Sequence, residues 1–417
     1  MKRLLYTIIL LFLSGLAFGQ EGLSLEQAVR IALENNLNIK VAHNEAEISA
    51  NRATAGNAGL LPKVTASAGT NYSEHSTDEL SSNAALNLSY TLFDGWGSIY
   101  NYKILGLQKE QGELQSRFKI ENVITQVVTG FYQLSETYDK LRVAEESLDI
   151  SRERLERNQS RFDFGNINKL EVLNAQVDFN RDSSNYLQSS LAFEEAGRQL
   201  NVLMGRSAET KFQLLPESIH FGEFELVSLK EQALNENADY LLAASRLKQD
   251  ELELKMAKSG QLPKVSLNSS YGWNELGYAG TSSNTQLSGG LSISFNLFDG
   301  KKKQTEIVNA KIQKENTELE YQNKLLELER DVVNAYAEYQ NNLRILQLEE
   351  DALSAAQLNF EQTREHYNIG SVTSTTFREA QLNLAEAQNR MASARYTAKQ
   401  SEVNLQQLSG SLLKPKE

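Results

Sequence analysis

The chain has no cysteine, which excludes disulfides, thiolate metal sites and cysteine nucleophiles. Four prolines and two tryptophans in 417 residues leave few helix breakers and suit long helices better than several compact cores. The formal charge of −12 disfavours nucleic acid as a partner, because phosphate binding needs an excess of Lys and Arg. It suits solubility, or a lumen that favours cations. His43, His75, His220 and His366 are scattered and form no ligand-spaced cluster, so no metal site is expected. A phosphate-binding Gly-rich Lys motif and a Gly-flanked nucleophilic serine are both missing, so neither an enzyme nor a cofactor is expected.

Beyond the N-terminus no apolar run reaches the roughly twenty residues a spanning helix needs. Lys2-Arg3, the apolar residues 4–13 and the small residues up to Ala17-Phe18-Gly19 read as a secretory signal cleaved before Gln20. That apolar run is too short to span, and no cysteine near the cleavage point offers a lipoprotein anchor. A chain exported in this way enters a membrane only as a barrel, since helices and closed barrels alone satisfy every backbone group in hydrocarbon.

What the sequence does have is the same half twice. Leu61-Pro62-Lys63-Val64 returns as Leu262-Pro263-Lys264-Val265, and Leu92-Phe93-Asp94-Gly95 as Leu297-Phe298-Asp299-Gly300. Ala175-Gln176 returns as Ala380-Gln381, and Leu203-Met204-Gly205 as Leu408-Ser409-Gly410. From Phe93 to Gly205 each residue has its counterpart 205 positions on, whereas the Leu-Pro-Lys-Val copies sit 201 apart, so the difference falls within the segment between them. Each half opens with a helical pattern, over 23 to about 60 and about 229 to 260, which ends at the proline.

There the period changes to two. Val64, Ala66, Ala68, Thr70 and Tyr72, then Leu86, Leu88, Tyr90 and Leu92, alternate with polar residues. Val265, Leu267, Ser269, Tyr271 and Trp273, then Leu291, Ile293, Phe295 and Leu297, repeat the pattern. Segments of about nine to eleven residues cross a bilayer as tilted strands. Polar loops at 74–83 and 275–285 separate them, and Tyr72, Trp96, Tyr271 and Trp273 stand where interface girdles lie. A soluble hairpin with one buried face fits the alternation equally well. Lys301, Lys302 and Lys303 follow a strand exit and read either as lipid-phosphate contacts or as a solvated charge run.

After each Phe-Asp-Gly the pattern is helical for roughly 68 residues, on the order of 100 Å at 1.5 Å per residue. Ile120, Val127, Leu134, Leu141, Leu148, Leu155 and Phe162 recur every seven residues, as do Leu325, Val332, Tyr339, Leu346, Leu353 and Phe360. A sustained heptad seam predicts lateral coiled-coil packing. Its second position is polar or small (Gly130, Thr137, Ala144, Ser151), which predicts narrow packing or several neighbours. Glycine loops at 163–166 and 367–371 turn the chain into return helices, about 170–204 and about 376–408. Residues 206–228, without a clear period, read as a packed connector.

This arrangement resembles the TolC-like outer-membrane efflux family over essentially the whole mature chain. The resemblance rests on Leu23-Ser24-Leu25-Glu26-Gln27-Ala28 with Ala32-Leu33-Glu34-Asn35-Asn36, the Leu-Leu-Pro-Lys strand start, the Tyr90-Thr91-Leu92-Phe93-Asp94-Gly95 strand exit and the Arg161-Phe162-Asp163-Phe164-Gly165 tip. It implies a mostly α protein with a transmembrane β-barrel part. Long antiparallel coiled-coil helices would form a trimeric α-barrel, and four strands per chain a shared twelve-stranded barrel. Four strands cannot close alone, which independently calls for an oligomer.

The expected division is a signal peptide (1–19), first-repeat helix (20–60), first transmembrane hairpin (61–93) and first long and return helices (94–205). A connector (206–228), second-repeat helix (229–261), second hairpin (262–298), second long and return helices (299–410) and a tail (411–417) follow. The resemblance further implies the outer membrane of a Gram-negative bacterium, with the chain extending into the periplasm. It implies docking of a periplasmic adaptor, and through it an inner-membrane pump or ABC exporter, at Gly165, Asn166, Ile167, Gly370, Ser371 and Val372. The periplasmic gate would comprise Glu171, Tyr367 and Glu379. Two positions depart from the family pattern: Val372 stands where an arginine is expected and Thr376 where an acid is common. Glu171 and Glu379 also suit plain solvated carboxylates at helix starts. A periplasmic coiled-coil scaffold without a channel, and a surface receptor or adhesin, are the alternative readings.

Overall fold

The computed structural model describes residues 22–73, 79–215, 218–276 and 282–412. The expected signal peptide, the loop residues 74–78 and 277–281, Pro216 and tail residues 413–417 lie outside them. In order, the elements are β1 (Gly22–Leu23), α1 (Leu25–Asn35), α2 (Leu37–Arg52), β2 (Lys63–Ser73), β3 (Glu79–Phe93), α3 (Gly97–Asp163) and α4 (Lys169–Leu203). Then follow β4 (Gln213–Leu214), α5 (Leu226–Glu236), α6 (Ala238–Ser259), β5 (Lys264–Leu276), β6 (Ser282–Ser294), α7 (Lys302–Asn368) and α8 (Ser374–Leu408). The chain divides into two compact units, one from 1–40, 119–237 and 329–417, the other from 41–118 and 238–328.

In the first unit the seam residues Val127, Leu134 and Leu148 of α3 are buried, as are Val332, Tyr339, Leu346 and Phe360 of α7, while Phe162 at the tip is exposed. Small seam residues pack as their size predicts: Ala144 and Ser151 are buried, and a Cβ on Gly130 would touch Leu203 at 3.0 Å. The helix expected over 23–60 is broken at Asn36, whose Oδ1 accepts from the Asn38 and Ile39 amides (2.8 and 3.2 Å) and whose Nδ2 donates to the Leu203 carbonyl (2.7 Å). One side chain thus caps the next helix and the end of α4. Asn237 breaks the second copy likewise, donating to the Leu408 carbonyl at 3.0 Å. Ser24 and Gln27 form a capping box at the start of α1. The connector, read as packed but without a clear period, contains β4, which pairs in parallel with β1 through Leu23↔Leu214.

The second unit holds a four-stranded antiparallel sheet of order β2-β3-β5-β6, in which β3 and β5 join the two repeats. Its strands run 11, 15, 13 and 13 residues, so much of the expected loops is strand. β6 stops at Ser294, opposite Lys264, leaving Phe295 and Leu297 outside it. Pro263 precedes Lys264 and has no N–H with which to extend the ladder.

The registers sort the side chains by chemistry. Val64↔Leu88, Ala66↔Leu86, Leu86↔Tyr271, Tyr90↔Leu267, Tyr271↔Leu287 and Val265↔Ile293 share one face. Thr65↔Asn87, Asn87↔Ser270, Asn83↔Asn274, Ser270↔Ser288 and Ser266↔Ser292 share the other. The apolar face is open: Val64, Leu287 and Ile293 are 65%, 73% and 75% exposed. A contiguous apolar surface of this kind marks a membrane or protein contact. On the polar face Ser270 donates to Asn87 Oδ1 (2.8 Å) and Asn87 to Ser67 Oγ (3.2 Å), a chain of uncharged groups across three strands.

Candidate functional site

Both hairpin tips are built the same way. Gly165 (φ +74°) donates to the Phe162 carbonyl at 2.8 Å and Asn166 to that of Arg161 at 2.8 Å. Gly370 (φ +76°) and Ser371 donate to Tyr367 and His366 at 3.1 and 2.9 Å. This is the Schellman arrangement, in which left-handed backbone makes glycine the favoured residue. A Cβ at either glycine would meet no atom within 4 Å, so conformation and not packing fixes them. Asn168 and Thr373 then cap α4 and α8 by accepting from the amides of Glu171 (3.1 Å) and Thr376 (3.2 Å).

Of the sequence-predicted docking residues, Gly165, Asn166, Gly370 and Ser371 are exposed, Ile167 is half-buried, and Val372 packs on the cluster of Phe360, Tyr367, Phe377, Ala380 and Leu384. Sequence reasoning passed over Phe164 and Ile369, which are 82% and 78% exposed. An apolar residue inside an otherwise polar glycine turn was the available signal.

The gate candidates separate into two groups. Tyr367 is buried, stacks on Phe377 (centroids 4.7 Å apart) and donates to Asn158 Oδ1 at 3.2 Å. Asn158 in turn donates from Nδ2 to the Glu171 carbonyl at 3.3 Å, so this amide brings Tyr367 and Glu171 together. Arg157 donates to Asn368 Oδ1 (2.5 Å) and lies over the Tyr367 ring. Glu379 stands apart, exposed on α8. The tyrosine therefore engages an amide where the family resemblance implied acids, and Val372 adds an apolar contact where an arginine was expected.

Further along the hairpins lies a buried ionic cluster that no local pattern announced. Arg378 grips Asp182 with both terminal nitrogens, at 2.6 and 2.7 Å, and its Nε lies 3.6 Å from Asp178. Asp178 also pairs with Arg154 of α3 and with Arg181. Arg154, Asp182 and Arg378 are buried and Asp178 is half-buried, so two arginines and two aspartates tie α3, α4 and α8. Beyond it, Gln381 donates to the Ser147 carbonyl at 3.1 Å, and Tyr396 to Asp139 at 3.0 Å. Burial first and the Asp139 charge second push the Tyr396 hydroxyl well above the usual phenol range.

A sheet of membrane-crossing length with one apolar face and one polar face that is uncharged away from the strand ends, carried by a chain of long helical hairpins, defines a membrane channel subunit of mixed β and α construction. The chain belongs to the outer membrane efflux protein family, whose model matches residues 28–206 and 229–411. It is similar to the outer membrane protein TolC of Salmonella enteritidis, with 23% identity over 437 residues that cover 99% of this chain and 87% of that one. It also resembles the alkaline protease secretion protein AprF of Pseudomonas aeruginosa, 22% identical over 419 residues, with 95% and 86% covered. Among solved structures, the CmeC outer membrane channel of Campylobacter jejuni superposes with a TM-score of 0.82 at 19% identity, covering 95% of this chain and 91% of that chain. The protein is thus an outer-membrane efflux channel of a Gram-negative bacterium, and the scaffold and adhesin readings fall away.

Proposed function

We propose that three copies of the chain close one twelve-stranded barrel and a helical tunnel, forming the passive exit duct of a tripartite efflux or secretion system. The sheet carries this reading. Its apolar face suits lipid, its polar face suits a water-filled lumen, and its outer strands β2 and β6 each have one unpaired edge among the described residues. Open edges in hydrocarbon leave backbone groups unsatisfied, so other copies must close the ring. Two copies would give eight strands, an interior that side chains fill; three give twelve and leave room for a conduit. The duct has no catalytic role, and energy for transport comes from its partners. The hairpin tips, with Phe164 and Ile369 displayed beside the turn glycines, dock a periplasmic adaptor that brings an inner-membrane pump or ABC exporter. The experiment is the mass and single-channel conductance of the detergent-extracted protein. A trimer with large stable openings is expected; a non-conducting dimer would overturn the reading.

Glu379 supplies charge at the periplasmic mouth. Copies related by rotational symmetry bring their Glu379 carboxylates near one another, and the summed field favours cations. Glu379→Ala is expected to lower cation preference and block by divalent cations in planar bilayers. An unchanged reversal potential and unchanged block would remove Glu379 from the mouth.

A further inference from the structure

We infer that Lys301, Lys302 and Lys303 form a binding site for the headgroups of anionic phospholipids, at the end of the sheet where β3 and β6 run on into α3 and α7. The inference rests on the reading that the apolar face of the sheet meets lipid, and adds to it a lipid class and three residues.

A turn made twice sets the place. Phe93-Asp94-Gly95-Trp96 and Phe298-Asp299-Gly300-Lys301 share one backbone, with positive φ at both glycines (+72° and +70°) and again at Trp96 (+72°) and Lys301 (+68°). Among the described residues those two alone are non-glycine residues with positive φ, a region that side chains with a Cβ rarely enter. The caps match as well: Asp94 accepts from the Ser98 amide at 2.8 Å, and Asp299 from the Lys303 amide at 3.2 Å. In the first repeat the result is visible. A bulge between Thr91 and Phe93 sets Phe93 opposite Val265, which lies on the apolar face with Ile293, and Trp96 meets the Phe93 ring edge to face with centroids 5.7 Å apart. Gly95 lies so close to the end of α6 that a Cβ there would fall 2.3 Å from the Ser259 carbonyl oxygen, yet Trp96 stays 54% exposed. The turn thus directs its last residue outward at the rim of the apolar face, a place that suits an indole between hydrocarbon and water.

In the second repeat that place goes to a lysine, with two more behind it. Leu297 and Phe298, just before the turn, are 89% and 83% exposed; Lys301 and Lys302 are exposed and Lys303 half-buried. Apolar side chains followed by cations match acyl chains followed by phosphate, and a lysine stem can lie along the first while its ammonium reaches the second. Further along α7, Lys314 and Lys324 pair with Glu251 and Asp239 at 3.5 and 2.5 Å. Among the described residues Lys301, Lys302 and Lys303 pair with no acid, although Glu306 stands one turn on. Lysine in the first turn of a helix opposes the helix dipole, so the cluster does not serve the stability of α7. Charge is also sorted along the sheet. β2 and β5 start at the same end with Lys63 and Lys264, whereas Glu79 and Glu275 stand at the other. In a chain of net charge −12, one boundary of the sheet therefore carries a local positive field, the complement of a surface of phosphodiesters.

The test is lipid retained by the full chain in mixed micelles of equal phosphatidylglycerol and phosphatidylcholine. The wild-type chain is expected to retain phosphatidylglycerol at least ~tenfold over phosphatidylcholine, since each lysine near an anionic surface strengthens binding about fivefold. Lys301→Gln with Lys302→Gln and Lys303→Gln should bring the two lipids to parity, and raised salt should do the same to the wild type. The corresponding triple arginine variant keeps the charge and should keep the preference, which a merely structural role of lysine would not. Equal retention by the wild type, or a preference that survives in the glutamine variant, overturns the site. A preference lost to inorganic phosphate at constant ionic strength would make a soluble anion the ligand and overturn the lipid assignment. Flotation with vesicles separates the site from the reading beneath it. A wild-type chain that floats but shows no preference loses the lysine site and keeps the lipid-facing sheet; one that floats with vesicles of neither lipid loses both.

Discussion

Arg378→Ala is expected to destabilise the helical unit by about 3–5 kcal/mol, because it strands the buried Asp182 carboxylate without its countercharge. The figure applies to buried pairs; an exposed pair such as Arg30 with Glu26 would contribute well under about 1 kcal/mol. Asp182 would lose both of its hydrogen bonds from Arg378, and Asp178 would keep only Arg154 and Arg181. Replacing the pair together, Arg378→Met with Asp182→Leu, should restore most of that loss, since similar volumes of apolar side chain carry no desolvation penalty. Denaturation midpoints of the purified protein decide the matter. A single-variant loss below about 1 kcal/mol would show that the cluster does not hold α3, α4 and α8 together. Resting conductance adds a second reading: a closed mouth that depends on this cluster leaks in Arg378→Ala and stays shut in the double variant.

At the tips the expected loss is of function and not of assembly. Gly165→Trp combined with Gly370→Trp should reduce export to background while the oligomer persists, because the space around both glycines is open. The left-handed backbone adds strain of roughly 1–2 kcal/mol for a residue with a Cβ. Gly165→Asn with Gly370→Asn is the control, as asparagine tolerates that conformation. Export lost in the tryptophan variant and kept in the asparagine variant places adaptor contact at the tips. Export that survives both removes the tips from docking.

Much of this was legible because duplication reads itself out twice. The equal offsets located both long helices, both tip glycines and the strand pairs, and the structure turns several repeated letters into contacts: Asn36 and Asn237 each hold the last carbonyl of a return helix. The helix break at those asparagines was not legible, because an amide in a helical stretch announces a cap only when a carbonyl from a distant element is there to receive it. The ionic cluster was hidden for a similar reason. Arg154, Asp178 and Arg378 come from three helices, and each alone looks like an ordinary charge on a solvated face. Tyr367 was singled out by the resemblance, but Asn158, to which it donates, was not, since nothing near Asn158 in the chain marks it. The two-residue strand β4 is too short for any periodicity to reveal.

Away from the strand ends, the described residues along the polar face of the sheet are Ser, Thr, Asn, Gln, Gly and Ala, none of them charged. In the proposed duct a wall of this kind adds electrical resistance without adding charge. Ion selectivity measured across that duct would report on charged residues elsewhere along it. Exchanging the strand segments with those of a relative would change total conductance and leave the sign of the preference where it was.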